Sequence, residues 1–61
     1  MKTLARTAND LVGTFRTFGE LGPVYEVQYK VSDLKVHIIV IESGEELDYL
    51  VERALNDPEA D

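Results

Sequence analysis

A chain of 61 residues with 44% hydrophobic and 30% charged side chains is long enough for one small domain and too apolar for a disordered one. It has no cysteine, which excludes disulfide staples and thiolate metal sites, and its formal net charge of −6 disfavours contact with phosphate backbones. A chain this short buries only about 60% of its unfolded surface, so docking onto a partner or a second copy would supply burial that the core lacks.

Residues 1–10 read as a frayed start or a short helix. Over residues 3–12, Leu4, Ala8, Leu11 and Val12 share one stripe, and Gly13 follows as a stop signal. A strand is predicted from Leu11 or Val12 to Phe18, so helix and strand compete for those two residues. Phe15 and Phe18 have opposite parity and can both be buried only if the strand bends or ends between them. Residues 19–23 are turn chemistry: Gly22 suits a positive φ, and Pro23, lacking an amide proton, suits a strand start. The two glycines lack the strand-turn-helix setting of a dinucleotide loop.

The firmest pattern spans residues 24–41. Tyr25, Val27, Tyr29 and Val31 alternate with Glu26, Gln28 and Lys30, the mark of a strand with one buried face. After a turn at Ser32-Asp33-Leu34-Lys35, residues 36–41 are apolar at five of six positions. Pairing Val31 with Val36 sets Tyr29 opposite Ile38, Val27 opposite Val40 and Tyr25 opposite Glu42. Ile39 and Ile41 then face the other way, predicting a central strand covered on both sides. Leu4, Ala8 and Leu11 are candidate covers; so is another chain, including a homodimer partner.

Ser43-Gly-Glu-Glu46 supports two structures. Ser43 can cap a helix with Glu46 as its reciprocal partner. Alternatively, a Ser43-Gly44 turn leads into a fourth strand pairing Val40 with Leu47 and Ile38 with Tyr49. The uncovered edge of the second hairpin strand favours the fourth strand. A helix over residues 50–56 follows in either case, ended by Pro58. The predicted architecture is α+β: a three- to four-stranded antiparallel meander with a short C-terminal helix, in a single domain over residues 1–61, with residues 57–61 as an acidic tail.

Gly13-Thr-Phe-Arg-Thr-Phe-Gly19, Gly22-Pro-Val-Tyr-Glu-Val27, Glu42-Ser-Gly-Glu45 and Asp57-Pro-Glu-Ala60 together resemble a family of short uncharacterised bacterial proteins, a domain of unknown function, over roughly residues 11–60. The resemblance implies a bacterial source. No settled activity comes with it, and no functional residue carries over.

Catalytic constellations are not legible. His37 is the sole histidine, set by parity on the polar side, and Ser32 and Ser43 sit in turns, so no nucleophile stands beside a base. Glu45, Glu46 and Asp48 lack the spacing of a calcium loop. The expectation is a protein that is not an enzyme and uses no cofactor or metal. No apolar run reaches the ~20 residues of a membrane span, and Leu4-Ala5 is too short for a signal-peptide core; a soluble, cytoplasmic protein is expected.

Charge is uneven. Residues 1–41 carry five basic and four acidic side chains, whereas residues 42–61 carry eight acidic ones against Arg53 alone. That −7 end points to a small interaction or regulatory module bound to a basic protein. Glu45, Glu46 and Asp48 form the charged patch, with Tyr49 and Leu50 as the apolar anchor. The alternative is nucleic-acid binding, with bases stacked on Phe15, Phe18 and Tyr25 beside Arg16, although no Lys/Arg cluster or RNP pattern accompanies them.

Overall fold

The computed structural model describes residues 7–60. The elements follow as α1 (Ala8–Leu11), β1 (Phe15–Thr17), β2 (Val24–Lys30), β3 (Lys35–Val40), β4 (Glu46–Leu50) and α2 (Val51–Asn56). The strands form one antiparallel sheet in the order β1-β2-β3-β4, and both helices pack on one of its faces. The α+β meander with a short C-terminal helix is thus the fold, and residues 46–50 adopt the strand alternative.

Thr7 starts α1: its backbone N–H and hydroxyl both donate to Asp10 Oδ2, at 3.3 and 3.2 Å. Ala8 and Leu11 are buried in the core, and Gly13, at φ 85°, turns the chain out of the helix into β1. The predicted stripe is therefore half right. Val12 is 41% exposed, and Leu4 lies outside the described residues. Gly22 is required for a reason other than positive φ: a Cβ there would collide with the Phe18 carbonyl, and the positive φ of this loop falls at Gly19.

The β2–β3 register differs from the predicted one. Tyr25 faces Val40 and Val27 faces Ile38, two positions from the expected partners. An irregularity between Val27 and Tyr29 then sets Tyr29 opposite His37 and Lys30 opposite Val36. Gln28 is the extra residue of a bulge, and such an insertion reverses the facing of everything beyond it. Tyr29 and Val31 accordingly leave the core side and are 54% and 46% exposed. The hairpin turn is one residue tighter than expected, because the Val31 N–H donates to Lys35 O at 3.0 Å.

The β3–β4 register is displaced by two residues as well, with Ile38 opposite Leu47 and Val36 opposite Tyr49. The connection is longer than a Ser43-Gly44 turn: Val40 N–H donates to Glu45 O at 2.7 Å, closing a loop over residues 41–44. A shift of two preserves parity, so the inward set is unchanged.

The core joins Tyr25, Val27, Val36 and Ile38 of the sheet to Ala8, Leu11, Val51 and Ala54 of the helices. Full burial of a Val or Ile side chain stabilises by about 1.5–3 kcal/mol. Ala8 and Leu11 therefore cover the same face as α2. The expected role of these two as cover for Ile39 and Ile41 is overturned: both isoleucines lie on the opposite face, where Ile41 is 51% exposed.

Residues 57–60 do not behave as a free tail. Thr17 N–H donates to Pro58 O at 3.0 Å, Ala60 N–H donates to Phe15 O at 2.8 Å, and Glu59 bridges Arg16. This segment lines the outer edge of β1. Arg16, placed beside the aromatics in the alternative nucleic-acid reading, is 4% exposed; its guanidinium donates to Asp57 O at 3.0 Å and pairs with Glu59 at 3.5 Å.

Candidate functional site

Where β4 gives way to α2, Leu50 leaves the sheet with φ −68° and ψ 132° and the chain turns into the helix. The Val51 N–H donates to Leu34 O at 2.8 Å, tying the helix start to the β2–β3 turn. That turn is held by Leu34 N–H to Ser32 Oγ at 3.2 Å and by a Lys30–Asp33 ion pair at 2.9 Å. The lysine holds the Asp33 carboxyl below the usual carboxylate range through its hydrogen bond and charge.

Between turn and helix lies an open cleft of about 450 Å³, lined by Asp33, Leu34, Leu50, Val51, Glu52 and Leu55, with Asn56 at one end. Leu34 is 73% exposed and Leu50 is 42% exposed. Its lining is mainly apolar and includes the carboxylates of Asp33 and Glu52. A second cleft of about 270 Å³, which includes Lys30 and Thr7, adjoins it through Asp33 and Val51.

On the outer face of the sheet, His37 is held between two carboxylates. Its Nδ1 lies 2.9 Å from Asp48 Oδ1, and its Nε2 lies 3.0 Å from Glu46 Oε1. A neutral imidazole has one N–H and can serve only one of them; the imidazolium donates to both. These bonds, Asp48 first, raise its pKa above the ordinary 6.5 against a smaller opposing effect of burial. The Tyr29 ring stacks on the imidazole at 4.7 Å and 11°. His37 is therefore on the expected polar side, but its partners are Asp48, Glu46 and Tyr29 instead of Lys30. Among the described residues, no group of three or more His, Asp or Glu side chains is arranged to hold a metal ion.

Residues 3–61 match a family of unknown function, DUF5397. The chain belongs to that family. No curated protein and no solved structure matches the chain. Membership brings no activity with it, so a functional reading has to come from the geometry.

The five residues singled out from the sequence are distributed over different surroundings. Glu46 and Asp48 come together around His37, and Glu45 is exposed in the loop before β4. Leu50 opens into the cleft. Tyr49 is not a surface anchor: its ring packs edge-on against Tyr25 and Phe18 at 5.4 Å, and its hydroxyl donates to Asp57 at 2.9 Å. Asp33, Leu34, Glu52 and Leu55 were not singled out. An apolar residue at the tip of a polar turn, Leu34, was the signal available.

The aromatic platform does not assemble. Tyr25 is fully buried, Phe18 packs on it at 4.5 Å, and Arg16 points into the core, leaving Phe15 alone of the four on the outer face. No helix among the described residues is long and apolar enough to cross a membrane.

Proposed function

We propose that this protein is a non-enzymatic interaction module of the bacterial cytoplasm that holds a basic protein partner. The carrying observation is the cleft itself, lined by Leu34, Leu50 and Leu55 together with the carboxylates of Asp33 and Glu52. An isolated small domain gains nothing in stability from a leucine that is 73% exposed at a turn tip, whereas a partner side chain would bury it. Apolar anchors supply most of the affinity of such contacts, and complementary charge raises the association rate. Of the acidic residues in the −7 stretch 42–61, Glu52 lines this cleft, whereas Glu59 pairs with Arg16 at the β1 edge.

The test compares capture by the native chain and by Leu34→Asp, a change at an exposed position that leaves the core intact. A basic protein held by the native chain, lost by the variant and rebound from purified components is the expected result. Equal retention by both chains contradicts the reading.

A further inference from the structure

The two edges of the sheet are finished differently. At β1, residues 58–60 occupy the outer edge through the Thr17 and Phe15 backbone. At the other end, among the described residues, β4 has a neighbour on one side only, β3. The bonds Val40 N–H to Glu45 O and Val51 N–H to Leu34 O mark Glu45 and Val51 as residues whose backbone points to β3. Antiparallel ladders alternate, so Leu47 and Tyr49 point the same way, and the backbones of Glu46, Asp48 and Leu50 point outward. An open row of strand donors and acceptors is a template for another strand.

We infer that β4 adds a partner's extended segment in which Lys or Arg alternates with apolar residues. This inference rests on the proposed interaction role and gives the partner its form. Side chains choose the occupant. On the outer face an added strand meets Glu46 and Asp48, whose side chains are 58% and 49% exposed although each already serves His37. On the inner face it meets Leu47 and Tyr49, both half-buried. Cations opposite the carboxylates and apolar groups opposite Leu47 and Tyr49 complete both rows. A second copy of this chain fits poorly, because antiparallel pairing of β4 with itself in full overlap sets Asp48 opposite Asp48. The added strand also runs as far as Leu50, which lines the cleft.

The experiment follows amide hydrogen exchange in the full ¹⁵N-labelled chain with three synthetic peptides. One alternates Lys with Val, one alternates Glu with Val, and the third is the Lys-Val peptide with alternate backbone nitrogens methylated. The Lys-Val peptide is expected to slow exchange at Glu46, Asp48 and Leu50 on the order of tenfold. The Glu-Val peptide should leave these amides unchanged, and methylation should abolish the protection. No protection by the Lys-Val peptide, or equal protection by the methylated one, overturns strand addition. Lys-Val effects confined to the amides of Leu34 and Leu55 also reject the edge while leaving the cleft reading standing. That reading is decided separately by Leu34→Asp.

Discussion

The Tyr25 hydroxyl donates to Asp57 Oδ2 at 2.8 Å, joining two residues 32 positions apart in the chain. Tyr49 donates to the same oxygen at 2.9 Å, and Gly19 N–H donates to Oδ1 at 3.2 Å. One carboxylate therefore ties β2, β4 and the loop after β1 to the end of α2. Phe18 closes the cluster from above Tyr25, with ring centroids 4.5 Å apart.

Removing that carboxylate should be costly. Asp57→Ala leaves two part-buried phenol hydroxyls without their acceptor, and each unmade bond costs about 1–3 kcal/mol. Urea unfolding is expected to show a loss of about 2–4 kcal/mol, with a smaller loss for Asp57→Asn, which keeps one acceptor oxygen. A loss for Asp57→Ala under about 1 kcal/mol contradicts the anchoring role.

The same cluster predicts an alkaline transition. Burial, then the Asp57 hydrogen bond and charge, push the Tyr49 phenol up from 10.0 to about 12. The same causes raise Tyr25. The folded chain therefore keeps protons that the unfolded chain releases from pH 10 upward. Stability contributed by this pair is complete below pH 10 and is lost as pH rises towards 12. Phenolate absorbance should rise together with unfolding in that window. Full tyrosine ionisation near pH 10 with native circular dichroism contradicts this account.

The bulge at Gln28 predicts a break in the alternation of β2. Val27→Ala should destabilise by about 1–3 kcal/mol, since it removes fully buried methyls. Val31→Ala, at a residue 46% exposed, should cost under about 0.5 kcal/mol. Comparable losses at both positions would restore an unbroken strand.

Parity made much of this fold legible. The alternation of residues 24–27 and 36–40 identified Tyr25, Val27, Val36 and Ile38 as inward, and that set forms the core. Register was not legible in the same way. Turn length decides it, and shifts of two leave parity untouched, so residue pattern cannot distinguish them. The bulge was hidden because Tyr29 and Val31 continue the apolar alternation perfectly well on the exposed side. Arg16 and Asp57 were missed for another reason. A buried guanidinium and a central carboxylate look like surface charge until long-range partners are known, and residues 57–60 carry the composition of a tail. For the candidate site, Leu50 was singled out and lines the cleft, while the cleft itself depends on bringing Leu34 beside Leu55 across the chain.

His37 predicts a second, milder pH dependence. Its raised pKa means that stability from the Asp48 and Glu46 bonds is complete below the unfolded value of 6.5. That contribution is lost as pH rises from there through the folded value. The imidazole C2-proton titration should have its midpoint above 6.5, and His37→Gln should flatten the stability profile over that range. A midpoint at or below 6.5 contradicts a doubly bonded imidazolium.

The proposal that a basic partner is held at the cleft and the β4 edge is tested most directly by its association rate as a function of salt. Screening shortens the reach of surface charge to about 10 Å at 0.1 M salt. Glu45→Lys with Glu52→Lys changes exposed side chains on the loop before β4 and in the cleft lining, leaving His37 and its two carboxylates in place. Stopped-flow association with the purified partner should be slowed by this double variant at low salt, with a smaller effect at high salt. A rate that is independent of salt and equal for both chains would contradict the account.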